Sequence, residues 1–356
     1  MMVKEKEMNW QNKKIINEVK QEIDSFLKKK FFLLGDYTKC FQESFAKSQN
    51  VKYFMGLSSG TVALQLLLRA LQLSKGSKVL VSSFCPIPTI MSIYEAGYIP
   101  KFVDINVKTL NIDISNLEKS YDTDCQAVIA VHIFGKLCKM SDISLWCKTK
   151  GLLLVEDACQ AVNSNHKDFS IAEHSLGAAM SFYPTKNLGA WGDAGGILTN
   201  DELLKNKINY LRNYGLNESF ESESMGGNYR IDELQAMILL KKLPLQAQDM
   251  KNRDSILDFY IKSLGIDKLQ MEKDEGYHNK HVISYLLESS VDREKYRTFC
   301  KENGLKESFF YEHPIYKEKG IEKGAFLKNC EDVCSRIINL PNNNKNQKVV
   351  SFLKEL

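Results

Sequence analysis

Hydrophobic positions recur along the chain with two different periods, and the change of period outlines its elements. Over residues 11–30 apolar side chains fall at Ile15, Ile16, Val19, Ile23, Phe26 and Leu27, close to the i, i+3, i+4, i+7 spacing of an amphipathic helix. From about residue 50 short apolar runs alternate with longer amphipathic stretches. The short runs predict strands over 78–81, 101–105, 127–133, 152–155, 179–183 and 196–199, with helices starting near Thr61, Thr89, Met140, Asp201 and Asp232. Strands apolar on both faces and separated by helices imply a mostly parallel α/β sheet covered by helices on both sides.

Beyond residue 245 the texture changes again. An apolar run over 282–287, a helix-like stretch over 292–303 and the polar run Asn342 to Asn346 predict a smaller α+β unit. The expected division is an N-terminal helix and arm over 1–45 that packs with the smaller unit, a large domain over 46–245, and a small C-terminal domain over 246–356. A chain of this length has room for about two domains and a cleft between them.

Composition narrows the classes. With 44% hydrophobic and 26% charged residues the chain is an ordinary globular one, which excludes disordered and fibrous classes. Lysine and arginine total 48 against 44 acidic residues, a formal charge of +4 that calls for neither nucleic acid nor an anionic membrane as partner. No apolar run approaches the ~18 residues of a membrane span, and the polar amino terminus lacks a signal-peptide core. Nine scattered cysteines without a C-x-x-C pair read as reduced thiols of a cytoplasmic protein. His278 with His281, and Cys330 with Cys334, have spacings that could fit a metal on a helix. Neither pair has a third ligand near it, so no metal is expected.

Three short stretches carry candidate chemistry. Ser58-Ser59-Gly60-Thr61 precedes an apolar helix, and free N–H groups, a hydroxyl and the positive helix end suit a phosphate there; an ordinary N-cap is the other reading. The run 152–155 ends in Glu156 and Asp157, carboxylates at a strand's carboxyl edge, where α/β sheets place ligands and where an acid can equally cap the next helix. In Ser181 to Gly189 a strand runs into a Pro- and Gly-bounded loop bearing Lys186. It is either a solvated surface lysine or a desolvated amine able to form a Schiff base.

Together these stretches resemble the DegT-type sugar aminotransferases, pyridoxal 5'-phosphate (PLP) enzymes of the aspartate aminotransferase fold. The resemblance runs from residue 31 through S-S-G-T (58–61), V-H-I-F-G (131–135), V-E-D-A-C-Q (155–160), S-F-Y-P-T-K-N-L-G (181–189), L-R-N-Y-G (211–215) and N-Y-R-I-D-E-L-Q-A (228–236) to I-N-L-P (338–341). It implies that Lys186 binds the cofactor covalently and then carries the proton, and that Asp157 pairs with the pyridine nitrogen. Gln160 would hydrogen-bond the phenolic oxygen, and Gly60, Thr61 and Ser181 would hold the phosphate. Asn228 would reach the phosphate of the partner subunit, which implies a homodimer with shared sites. The expected reaction moves an amino group, from an amino-acid donor such as glutamate, onto a nucleotide-linked keto-sugar for glycan or secondary-metabolite synthesis. A lyase or dehydratase of the same fold and a non-catalytic regulator are the alternatives.

The chain departs from the family pattern in places. Pro86 stands where an aromatic residue usually stacks on the cofactor ring, with Phe84 as the nearest substitute. Lys136 stands where glutamine is common. The block Tyr311 to Tyr316 matches only loosely the family's Y-P-x-P-x-H, so His313 and Tyr316 are the expected substrate residues.

Overall fold

The computed structural model describes residues 10–28, 32–217, 219, 221–222, 224–269, 276–305, 309–342 and 344–356. Phe31, the first residue of the family-like blocks, and Asn343 in the polar run lie outside the described residues. The strands are β1 (Tyr53–Leu57), β2 (Lys78–Ser82), β3 (Ile99–Val103), β4 (Cys125–Val131), β5 (Leu153–Asp157), β6 (Asn165–His166), β7 (Ala178–Ser181), β8 (Gly195–Thr199), β9 (Gly276–Tyr277), β10 (Ile283–Leu286) and β11 (Ile337–Leu340). The helices are α1 (Trp10–Lys28), α2 (Asp36–Ser48), α3 (Gly60–Leu71), α4 (Ile87–Glu95), α5 (Ile114–Ser120), α6 (Met140–Lys150), α7 (Glu202–Leu211), α8 (Glu233–Lys242), α9 (Gln246–Leu264), α10 (Ser290–Glu302), α11 (Lys328–Arg336) and α12 (Gln347–Glu355).

Seven strands form one sheet in the order β1-β8-β7-β5-β4-β2-β3. The run from β7 to β3 is parallel, and β8 lies antiparallel between β7 and β1. A small antiparallel pair, β10 with β11, forms the C-terminal sheet. The expected mostly parallel sheet with an additional α+β unit is therefore what the chain builds. Strands β4, β7 and β8 are buried along nearly their whole length, as a sheet covered on both faces requires.

Differences of element have local causes. Strand β3 begins two residues earlier than the apolar run predicts and includes Pro100, which an edge strand tolerates because one side of its backbone has no partner. Strand β1, which the pattern did not predict, contains Gly56. A Cβ there would lie 2.6 Å from Ile231 Cγ2, so the glycine lets the next layer close onto the strand. The expected strand over 127–133 stops at Val131, where the chain turns through a short 3-10 segment with Phe134 at φ 57°.

Helix α3 shows why the first motif folds as it does. Ser59 is the N-cap, its hydroxyl accepting the Val62 N–H at 3.2 Å, and Leu64, Leu66, Leu67 and Leu68 are buried. Helix α4 starts at Ile87, two residues before Thr89, because Pro88 fits a first turn, where no N–H donor is needed.

One expectation about packing is corrected. Ile15, Val19 and Phe26 of α1 join a core with Phe41, Phe45, Ala236 and Met237, and α1 and α2 pack on α8. The helix belongs to that core and not to the C-terminal cluster around Tyr260, Ile283, Tyr296 and Val349. Its apolar stripe packs on α8, and the buried Glu233 carboxylate of α8 fixes the amino end of α2 beside it by accepting the N–H groups of Gly35, Tyr37 and Thr38 at 2.8–3.0 Å. Four phenylalanines, Phe41, Phe45, Phe54 and Phe182, pack edge to face behind the sheet with centroids 4.8–5.8 Å apart across the edge-on pairs.

All nine cysteines are free. Cys330 and Cys334 lie on α11 with their sulfurs 3.8 Å apart, whereas His278 and His281 lie on an irregular segment and not on a helix. Among the described residues no group of three or more His, Cys, Asp or Glu could hold a metal ion, and no helix is long and apolar enough to cross a membrane.

Candidate active site

Strand register gathers the three motifs at one sheet edge. Leu57 is paired with Gly195, Gly195 with Ser181, Ala179 with Asp157, and Asp157 with Val131. The residues following β1, β4, β5 and β7 therefore emerge side by side at the edge where open α/β sheets bind ligands.

The helix end is brought up close. A Cβ on Gly60 would lie 2.7 Å from Ser181 Cβ and 2.8 Å from Cys159 Sγ, and one on Gly195 would lie 2.3 Å from the Ser59 carbonyl carbon. Both glycines are needed for the amino end of α3 to touch the ends of β7 and β8. The backbone of Ser58 is tied down as well, its N–H donating to the Tyr229 carbonyl at 2.9 Å. Gly60 and Ser181 thus meet at the amino end of α3, where Thr61 follows, the kind of helix end that binds a phosphate.

Asp157 is buried at the end of β5. Its Oδ2 accepts the Thr89 hydroxyl at 2.6 Å and its Oδ1 the Cys159 N–H at 3.1 Å, so the carboxylate is held in one orientation from two elements. Lys186 is half-buried on the turn after β7, with its N–H on the Tyr183 carbonyl at 2.8 Å. Desolvation holds its amine below the usual lysine range, while Cys159 and Asp157 act in the opposite sense. The same burial pushes the Cys159 thiol upward.

Gln160 is oriented by the left-handed corner after β4. The Phe134 N–H donates to Gln160 Oε1 at 2.6 Å, which leaves Nε2 as the outward donor; that amide reaches the Tyr311 hydroxyl at 3.3 Å. Burial pushes the Tyr311 phenol above its ordinary range. Phe84 is packed edge-on against Tyr311 at 5.3 Å and Phe134 at 5.8 Å. It is committed to this packing, while Pro86 is the half-buried N-cap of α4.

Behind the site His132 and Glu156 are both buried. Nδ1 of His132 accepts the Cys138 N–H at 3.1 Å, so Nε2 carries the proton and donates to Glu156 at 2.8 Å. Glu156 also accepts the Ala172 N–H at 3.1 Å and the Ser175 hydroxyl at 2.6 Å. Glu156→Ala leaves these donors unpaired in the interior, and a loss of about 3 kcal/mol is expected in chemical denaturation.

The other expected residues make their bonds to groups outside this cluster. Asn228 is exposed and joined to Asn213 by a backbone bridge. His313 is exposed, with Nε2 2.9 Å from Glu318. Tyr316 is buried; its hydroxyl donates to Glu331 at 3.0 Å and accepts the Leu327 N–H at 3.2 Å, so it is engaged within the C-terminal unit. Thr89, Tyr311 and Asn279 are residues of this region that the motifs did not single out. Thr89 was visible only as a helix start, and Tyr311 only as the first residue of a loosely matching block.

Known proteins resemble the chain over nearly its whole length. A solved structure of S. venezuelae DesV in complex with a ketimine intermediate superposes with a TM-score of 0.90 at 26% identity, covering 96% of this chain and 95% of that one. The UDP-N-acetyl-3-dehydro-alpha-D-glucosamine 3-aminotransferase of Acidithiobacillus ferrooxidans is 30% identical over 329 residues, 91% of this chain and 88% of that protein. A Geobacillus stearothermophilus protein named as a pleiotropic regulatory protein is 30% identical over 331 residues, covering 91% and 89%. The profile of the DegT/DnrJ/EryC1/StrS aminotransferase family matches residues 13–349, and the chain belongs to that family.

Proposed function

We propose that the protein is a PLP-dependent aminotransferase that moves an amino group, from glutamate, onto the keto carbon of a nucleotide-linked sugar. The observation that carries the reading is the desolvated Lys186 amine beside the fixed Asp157 carboxylate, next to the cradle that Gly60 and Ser181 form. The residues fit the cofactor. The amino end of α3 offers N–H and hydroxyl donors for a phosphate, and a Cβ at Gly60 would collide with Ser181 and Cys159, so the glycine is what lets these elements meet. When bound, the cofactor supplies an electron sink for charge that develops at the substrate carbon.

The chain's own residues would divide the remaining work. Gly60, Thr61 and Ser181 bind the phosphate. Asp157, steadied by Thr89 and the Cys159 N–H, keeps the pyridine nitrogen protonated by placing a carboxylate against it. Gln160 donates through Nε2, since Oε1 is taken by Phe134. Lys186 would hold the cofactor through Nζ, and its amine would take the proton from the substrate carbon and return it. Asn228, exposed on the single chain, would complete the phosphate site of a second copy.

The test is a half-reaction. Protein mixed with PLP should develop an absorption band at the edge of the visible, and added glutamate should abolish the band and release 2-oxoglutarate in equal amount. A lyase need not consume glutamate. A regulator, the reading favoured by Pro86 and by the Geobacillus relative's name, would form the band but turn over no nucleotide keto-sugar.

A further inference from the structure

The segment His278 to His281 ties the C-terminal unit to both loops that carry the chemistry. Asn279 is fully buried and every one of its polar groups is used. Its Nδ2 donates to the carbonyls of Gln160 at 2.7 Å and Val162 at 2.8 Å, and its Oδ1 accepts the His281 N–H at 2.9 Å. Its own N–H reaches Ser164 Oγ at 3.3 Å, and its carbonyl accepts Asn187 Nδ2 at 2.9 Å. A Cβ on Gly135 would lie 1.9 Å from Asn279 Oδ1, so the glycine of the corner after β4 is what admits this side chain.

His281 makes the second link. Its Nδ1 is 3.1 Å from Asn187 Oδ1. Because the Asn187 amide nitrogen already donates to Asn279, its oxygen must accept, and His281 Nδ1 therefore carries the proton. Burial, with the charges of Lys186, Arg253 and His278 adding to it, keeps this imidazole neutral. On the far side Arg253 donates to the Lys280 carbonyl at 3.1 Å, Lys280 pairs with Asp254 at 2.6 Å, and Asn342 donates to the His281 carbonyl at 2.5 Å. Asn187 is the residue after Lys186, so the segment is anchored on one side to α9 and on the other to the lysine turn.

We propose that His281, acting with Asn279 through Asn187, is a positioning residue that fixes the Lys186 amine relative to the Gln160 amide. A lysine on a turn gains reach and water when the turn loosens, and an error of about 1 Å in such a group can cost on the order of 100-fold in rate. The clamp adds to the bonds that already hold the turn, among them Gln246 Nε2 donating to the Asn187 carbonyl at 3.2 Å. What the positioned groups do rests on the aminotransferase reading; that they are clamped does not.

The experiment measures the Lys186 amine directly. Full-length protein without added PLP is pulsed with acetic anhydride across a pH series, and modification of the Lys186 peptide is read by mass spectrometry. The groups facing this amine are Asp157 at the end of β5, Cys159 in the turn after it and His281 from the clamp. His281→Leu frees the turn, so the pH of half-modification should rise toward that of an ordinary lysine by about half a unit or more. His281→Asn, whose amide can donate from the position of Nδ1, should return it to the wild-type value. A His281→Leu curve that overlays wild type overturns the proposal, as does a His281→Asn curve shifted as far as that of leucine. If His281→Leu fails to fold, Asn187→Ala cuts the same link from the other side. An upward shift in that variant supports the clamp, and an unshifted curve overturns it. Neither turnover nor substrate enters the measurement. A chain that shows this pattern yet releases no 2-oxoglutarate loses the aminotransferase reading and keeps the clamp.

Discussion

Lys186→Ala should lower the rate of the proposed glutamate half-reaction by at least about 10⁴-fold, because on that reading covalent attachment and proton transfer end at the same nitrogen and the variant loses both. The amine is held below the ordinary lysine range by desolvation, which keeps a larger share of it unprotonated near neutral pH. The cradle around Gly60 and Ser181 is untouched, so the variant should still bind PLP through its phosphate. The visible-edge band should vanish, and 2-oxoglutarate release in stopped assays should fall to background. A band of wild-type intensity in Lys186→Ala would mean that another amine holds the cofactor and would sink the assignment.

Asp157→Asn is expected to cost about 10³-fold or more in the same half-reaction with little change in fold. The side chain keeps its shape, but an amide cannot hold a proton on a pyridine nitrogen by charge, and the ring loses its strength as an electron sink. The Thr89 hydroxyl can turn to accept from the new amide. The Cys159 N–H keeps its oxygen, so the stability loss should stay near 1 kcal/mol. Turnover and melting temperature measured together check the prediction. A variant retaining more than about a tenth of wild-type rate would remove Asp157 from the electronic role.

Much of this site was legible because its motifs are local. A Ser-Ser-Gly-Thr turn, an acid pair ending an apolar run and a lysine in a short loop each declare themselves within about ten residues, and the sheet brings them together by strand order alone. Apolar runs located the parallel strands to within two residues. What the pattern missed has physical reasons. Gly56 interrupts the apolar character of β1. Helix α9 buries only a few apolar side chains, among them Met250, Ile256, Leu257 and Tyr260, and shows no strong stripe. The stripe on α1 is plain, but a stripe says that a helix packs and not on what, so its place against α8 could not be read.

The clamp was hidden for another reason. Asn187 and Asn279 are 92 residues apart, Gln160 and Tyr311 151. Side-chain amides at such separations carry no periodicity, and their meaning exists only after the chain has closed. The spacing of His278 and His281, which suggested a pair on one helix face, belongs to an irregular segment whose backbone turns through Lys280 at φ 51°.

The antiparallel partner of β1 has a consequence for synthesis. The turn after β1 is completed by β8 and by the Tyr229 carbonyl, which lie about 140 to 170 residues further along. At roughly 5–20 residues per second, a ribosome leaves Phe54, Met55 and Leu57 without their sheet partner for on the order of ten seconds. The amino end of α3 is thus made well before the strand and the carbonyl that complete its surroundings. A nascent chain halted before residue 195 would carry an unpaired apolar strand edge, the kind of surface that recruits chaperones or aggregates.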